Sequence, residues 1–315
     1  MEQTFHCCIC DEPVSPPYNR LGGRVYCDRH FANVNKPHMG YWRAGVLQIV
    51  LMGVFSAVVA VLADNLGELD SGALIVAGVI LAIIPTALWL IYFYREDQLE
   101  PEPKTKVAAV FLLALVLTDV IALRLLDSLF RLRDWTGINW YTSLLASILV
   151  TGFIFEAIKY YTVRLVVYAT DEFDERMDGI VYGTVAGLGI ATLLNLHYIV
   201  DNQGVSLGPG VIHVVTTGLA QASLGGIVGY FMAQAKFEHK PVWYVPLGVS
   251  LAAVGDGLFT WLISEVSATG LTVEPWRSLA LALIVAIAIF LVLVALMNRA
   301  HALTLEQPAV VEGQR

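Results

Sequence analysis

Two groups of residues in this 315-residue chain have the types and spacing to do chemistry. The first is in the head. Cys7 and Cys10 are two residues apart, sixteen residues separate Cys10 from Cys27, and His30 follows Cys27 after two more. Two intervening residues let a tight turn bring both side chains onto one ion, and thiolates with an imidazole are the ligand set of tetrahedral zinc. Four protein ligands leave no open position, so the predicted zinc site is structural. Pro13, Pro16, Pro17, Gly22 and Gly23 suit a loop-rich fold built around a metal, and Cys8 and His6 stand by as spare ligands. The second group is ionisable or strongly polar and lies within apolar runs: Glu156 with Lys159 one turn later, Asn195, His197, His213, Asp256 and, more weakly, Asp119. Such groups are costly in lipid and normally face the protein interior or a wet cavity. Glu156 and Lys159 read either as a neutralising pair on one helical face or as an acid that activates water. Asp256, between Gly255 and Gly257, has no basic neighbour in sequence, which makes His213 or Lys159 its candidate partner from another helix.

The elements that must position these residues are membrane helices. The chain is 57% hydrophobic and only 15% charged, against about a quarter charged for a soluble domain. Eight apolar runs approach the roughly 20 residues needed to cross a bilayer. They cover 44–63, 72–94, 107–126, 140–168, 179–200, 210–235, 242–265 and 278–298, and the fourth and sixth are long enough to tilt or continue into water. The predicted fold class is therefore an all-α polytopic membrane protein with eight spans and a small N-terminal zinc-binding module. Gly179, Gly183 and Gly187 recur every four residues and form a smooth stripe on which another helix can pack, and Gly225 with Gly229 repeats the spacing. Asp178 is placed to cap the helix start.

Orientation follows from lysine and arginine. Placing the N-terminus in the cytoplasm puts fourteen of them inside, from Arg20 to Arg315, and only Arg131, Arg133 and Arg277 outside. Arg124 and Lys159 lie within spans. The discordant loop 127–139 is expected to lie on the membrane surface as an amphipathic segment. Both termini are thus predicted cytoplasmic, in a multi-pass protein of the cell membrane. No cleavable signal peptide precedes the first apolar run, and all four cysteines fall in the head, which fits reduced metal ligands better than disulfides. A net charge of −8 argues against a nucleic-acid partner. The domain expectation is a zinc module over 1–40, a membrane domain over 41–300 and a cytoplasmic tail over 301–315.

Two resemblances follow from these residues. The stretch Gly23 to Phe31 looks like the closing half of a LIM-type zinc finger. Residues 72 to 265 resemble the PrsW family of intramembrane peptidases, distant relatives of the CAAX prenyl endopeptidases. Carrying that likeness are the acidic, proline-containing stretch from Tyr94 to Pro103, Glu156-Ala157-Ile158-Lys159-Tyr160, the segment from Asp178 to Gly189 with Asn195 and Tyr198 after it, and His213 with Thr217 and Gly218. The resemblance implies an intramembrane endopeptidase whose catalytic set here is Glu156, Lys159, Asn195, His213 and Asp256, with a second divalent metal possible among them. The sequence departs from the family pattern at Phe155 and Leu194, which replace two expected glutamates, and at Asp256 and Thr260, which replace a histidine and an asparagine.

Three functions are weighed. An endopeptidase would cut a membrane-anchored protein, with Glu156 activating water, His213 polarising the carbonyl or helping to hold a metal, and Asn195 donating to the oxyanion. Asp256 would complete a carboxylate–histidine–carboxylate set. The loss of two acids favours a non-catalytic scaffold or adaptor that binds transmembrane helices or lipid, so the enzyme assignment stays open between these. A transporter ranks last, since no repeated half is visible.

Overall fold

The computed structural model describes residues 5–36, 40–65, 71–97, 99–201, 209–268 and 275–306. The head folds as two short antiparallel hairpins, β1 (Phe5–His6) with β2 (Pro13–Val14) and β3 (Asn19–Leu21) with β4 (Arg24–Tyr26), followed by helix α1 (Asp28–Val34). The rest is helical: α2 (Tyr41–Asn65), α3 (Ser71–Glu96), α4 (Lys104–Leu117), α5 (Leu132–Thr136), α6 (Trp140–Ala146), α7 (Phe153–Val166), α8 (Arg176–Asp201), α9 (Pro209–Phe237), α10 (Tyr244–Ala268) and α11 (Pro275–Leu305). Wide π turns continue α4 through Thr118–Ala122 and Leu125–Leu129, and another, Ser147–Gly152, joins α6 to α7.

Among the described residues eight helical stretches are long and apolar enough to cross a membrane, one for each predicted run. Several overshoot the apolar runs; the last reaches Leu305, beyond the predicted 298. Backbone hydrogen bonding carries a helix past the hydrocarbon boundary, and hydropathy marks only the part in lipid. Of the predicted 301–315 tail, 307–315, including Arg315, lies outside the described residues.

The helices α8 and α9 form the centre, each with 89% of its most apolar stretch buried, whereas that of α2 is 17% buried. Their contact is the glycine stripe. A Cβ on Gly183 would overlap the carbonyl of Gly225, one on Gly179 that of Gly229, and one on Gly187 that of Gln221. Backbone therefore meets backbone along the whole crossing. Against the other faces of this hairpin pack α3, α4, α7, α10 and α11, with Trp89, Tyr92 and Phe93 of α3 clustered around Phe290 of α11.

Asp178, the third residue of α8, caps the helix start by reaching back: its Oδ2 accepts the backbone N–H groups of Asp174 (2.7 Å) and Glu175 (2.6 Å), fastening the preceding loop to the helix. His197 and Asp119, weighed separately, approach each other at 3.6 Å between α8 and the π turn after α4. The loop 127–139 contains the short α5, and Trp135, Ile138, Trp140 and Tyr141 are all exposed around it, an aromatic cluster of the kind that sits at a membrane interface. Asn139 caps α6, its Oδ1 accepting Thr142 N–H at 2.9 Å.

Candidate functional site

In the head, ligand atoms of Cys7, Cys10, Cys27 and His30 all lie within 4.8 Å of one another. His30 Nδ1 is 3.4 Å from Cys7 Sγ and 3.3 Å from Cys27 Sγ, and Cys10 Sγ is 3.9 Å from Cys27 Sγ. One knuckle closes through Cys7, whose N–H donates to Glu12 O and whose carbonyl accepts from Asp11 N–H, and the other through the first turn of α1. The predicted spare residues stand aside. His6 Nδ1 bonds Asp11 O at 2.8 Å. Cys8 is not among the converging ligand atoms, and burial pushes its thiol up to about 12, with Glu100 adding to it.

In the membrane, close packing at two glycines brings α7 and α10 together. A Cβ on Gly152 would overlap the Ala253 carbonyl, and one on Gly257 would fall 2.7 Å from Ser147 O. The π turn Ser147–Gly152 lies at this contact, a device often found beside functional sites. Four residues after Gly152 comes Glu156, three after Ala253 comes Asp256, and both are fully buried. Lys159 Nζ donates to Glu156 Oε1 at 2.5 Å. The Asp256 carboxyl is close enough to feel the charges of Glu156 and Lys159, and its Oδ1 accepts Gln221 Nε2–H at 2.7 Å and Thr260 Oγ1–H at 3.4 Å. The second oxygens, Glu156 Oε2 and Asp256 Oδ2, are buried and accept no hydrogen bond from the described residues. One ammonium balances one carboxylate, so the buried group is neutral when a single proton is held between the two carboxyls.

The five expected catalytic residues therefore separate into two groups. Asn195 and His213 are elsewhere on the α8–α9 hairpin. Asn195 Nδ2 donates to Val214 O at 3.2 Å, tying the two helices, and the His213 ring stacks on Tyr198 at 3.9 Å between centroids. His213 precedes Gln221 by eight residues, roughly 12 Å along the helix axis at 1.5 Å per residue. Asp256 thus takes Glu156, Gln221 and the nearby Lys159 as its neighbours rather than His213. Gln221 escaped the sequence reading. Its spacing of four and eight residues from Thr217 and His213 was a signal that they share a face of α9.

A further polar group sits at the loops beside the head. Tyr182 OH donates to Glu102 Oε2 at 2.5 Å, and Asp97, Glu175 and Asp178 are buried near it. Burial raises the Glu102 carboxyl from the usual 4.5 to about 8, against the opposing hydrogen bond from Tyr182. A carboxyl raised in the folded state binds its proton more tightly there, so its contribution is complete below about pH 4.5 and is lost as pH rises through about 8. Protease protection of the loop 97–103 is accordingly expected to weaken between pH 5 and pH 8. A Glu102→Gln variant should flatten that dependence.

Two comparisons with known proteins converge on one family. A family model described as PrsW family intramembrane metalloprotease matches residues 102–297. "Protease PrsW" of Bacillus subtilis (strain 168) is 30% identical over 191 residues, covering 59% of this chain and 82% of that protein. The protein of the same name from Geobacillus kaustophilus (strain HTA426) is 30% identical over 182 residues, covering 58% and 77%, and that from Clostridioides difficile (strain 630) is 26% identical over 189 residues, covering 58% and 78%. No solved structure matches the chain. The family description implies a metal. Among the described residues the one set of three or more converging His, Cys, Asp or Glu ligands is the Cys7, Cys10, Cys27, His30 cluster. The membrane pair offers two carboxylates already facing the Lys159 ammonium, with His213 apart, so the expected carboxylate–histidine–carboxylate set for a second metal is not assembled. A metal fits the head and does not fit the membrane group.

Proposed function

This chain belongs to the PrsW family of intramembrane metalloproteases, and on that premise we propose that it is an endopeptidase cutting membrane-anchored protein substrates through the Glu156–Asp256 carboxyl pair. The observation that carries this reading is the meeting of two buried carboxyls from α7 and α10 around a single lysine. Two carboxyls that share one proton present a base and an acid side by side. The ionised carboxyl takes a proton from water as the oxygen attacks the peptide carbonyl carbon. The protonated partner then gives its proton to the departing amide nitrogen as the C–N bond breaks, and the pair is left again with one proton. Lys159 holds Glu156, and Gln221 orients Asp256. Asn195 and His213, first assigned to catalysis, serve the hairpin that carries Gln221. Both carboxyls are sealed in this arrangement, so turnover requires a helix movement that admits substrate and water.

The bias of lysine and arginine supports a cytoplasmic head and tail in the cell membrane. The head is then in a reducing compartment, where Cys7, Cys10, Cys27 and His30 hold a structural zinc. Purified protein is expected to carry about one zinc per chain, and Cys27→Ser to carry none, by elemental analysis. Zinc-free wild-type protein would remove this assignment. The domain division 1–40, 41–300 and 301–315 goes with it.

The test of the peptidase reading is a comparison of new protein termini in membranes of cells expressing wild type or Glu156→Gln. Juxtamembrane cuts present with wild type alone support it; identical termini in both do not. One observation favours a second reading, a non-catalytic scaffold that binds membrane helices: Glu156 is pinned at 2.5 Å by its own Lys159, and both side chains are fully buried. Phe155 and Leu194, in place of two expected glutamates, point the same way. The same comparison separates the two.

A further inference from the structure

The head does not hang free from the membrane domain. Arg24 of β4, with a side chain 12% exposed, reaches three carboxylates at once: its Nε donates to Glu100 at 2.9 Å, its Nη1 to Glu175 at 2.8 Å, and its Nη2 pairs with Asp174. These acids come from two loops, one between α3 and α4 and the other between α7 and α8. Tyr26, two residues on, is fully buried; it packs with Leu99, and its OH donates to Leu99 O at 3.3 Å. At the turn before β4, Gly22 adopts a φ of +57°, and a Cβ there would lie 3.4 Å from Thr304 O near the end of α11.

Behind Arg24 lies a run of buried carboxyls. Asp97 has neither oxygen bonded to a hydrogen-bond donor, and Glu175 Oε1 also lacks one. Nearby cations face elsewhere: Lys236 donates to the carbonyls of Tyr168 (2.9 Å) and Phe173 (2.6 Å), and Arg176 pairs with Glu238 at 3.6 Å. Among the ion pairs of the described residues, the head supplies the cation for these two loops. The strand that carries Arg24 ends at the metal-ligand cluster. Val25 O accepts the N–H of Cys8, beside Cys7, at 3.0 Å, and Cys27 follows Tyr26 directly. One face of β4 is thus fixed by the knuckles and the other by the loops.

We propose that the head is a metal-dependent latch, in which zinc at Cys7, Cys10, Cys27 and His30 keeps β3–β4 folded so that Arg24 clasps loops 97–103 and 171–175 together. Loss of the metal unfolds the hairpin, withdraws Arg24 and leaves an acidic pair of loops that repel one another, freeing the ends of α3, α4 and α8. The latch rests on the zinc reading of the head and is independent of the peptidase reading.

The experiment is peptide-resolved amide hydrogen exchange on full-length protein in detergent at pH 7, with metal content measured in parallel. Wild type, wild type stripped with a zinc chelator, stripped protein given zinc again, and Arg24→Ala are compared. Stripping and Arg24→Ala are each expected to speed exchange about tenfold in 97–103 and 171–178. Segment 140–152, in the α6–π-turn region away from the head, should not change. Zinc should restore the stripped protein, and Arg24→Ala should keep its zinc while remaining loose. Stripped protein whose loops stay protected overturns the latch, as does an Arg24→Ala variant as protected as wild type, or an equal rise over 140–152. If wild type carries no zinc, the metal control falls with the zinc reading, while the Arg24→Ala arm still decides whether the arginine clasps the loops.

Discussion

Glu156→Gln is expected to lower the rate of juxtamembrane cleavage by about 10²- to 10⁴-fold, the usual contribution of a positioned acid or base. Glutamine matches glutamate in size, and its amide oxygen can still accept from Lys159, which donates to Glu156 Oε1 in the native protein. The Asp256 carboxylate is then available to balance the ammonium, so the helix pair should stay assembled. What disappears is the proton shared between two carboxyls. The measurement is the rate of product formation at one mapped cut, with equal amounts of folded protein confirmed by size-exclusion chromatography. Unchanged cleavage would mean that Glu156 serves only to neutralise Lys159. Lys159→Met should act differently, on folding before chemistry. Removing one partner of a buried pair typically costs about 3–5 kcal/mol, because the remaining charge is left uncompensated.

The second large effect is on stability. Gly229→Leu is expected to destabilise the membrane domain by at least about 3 kcal/mol, the upper end of the usual cost of overpacking. A Cβ there would overlap the carbonyl oxygen and carbon of Gly179, and Ile180 N would be 3.2 Å away. These are backbone atoms of the most buried helix pair, so no rotamer change relieves them and the helices must separate. A loss of that size corresponds to a fall in the thermal midpoint of about 6–12 °C for a domain of this size. Gly53→Leu on α2 is the control, since a Cβ there meets nothing within 4 Å. Equal midpoints for the two variants would contradict the close crossing of α8 and α9.

Those glycines were readable in the sequence because their four-residue period states both the face and its smoothness. The spans were readable because lipid imposes a length and an apolarity on each of them. The metal cluster was readable for a similar reason: ligands two residues apart leave few ways to arrange themselves. What a linear reading lacks is height within the bilayer and the identity of the facing helix. His213 and Asp256 both registered as intramembrane polar residues, yet Asp256 lies level with Gln221, two turns further along α9 than His213. Lys159 was named as a partner for Asp256, whereas the approach of α10 to the helix carrying Glu156 depends on the meeting of Gly152 with Ala253 and of Gly257 with Ser147. Arg24 read as one of fourteen inside charges, and nothing local to it shows that three acids from 76 to 151 residues away converge on its guanidinium.

Whether Glu156 and Asp256 act as one unit is tested most directly by a double-mutant cycle on cleavage at a single mapped site, using Glu156→Gln, Asp256→Asn and the two combined. Groups that share one proton fail together, so the combined variant should be no slower than the worse single variant within a factor of about three. A combined loss equal to the product of the separate losses, or an Asp256→Asn protein that cleaves at the wild-type rate, would contradict a shared-proton pair.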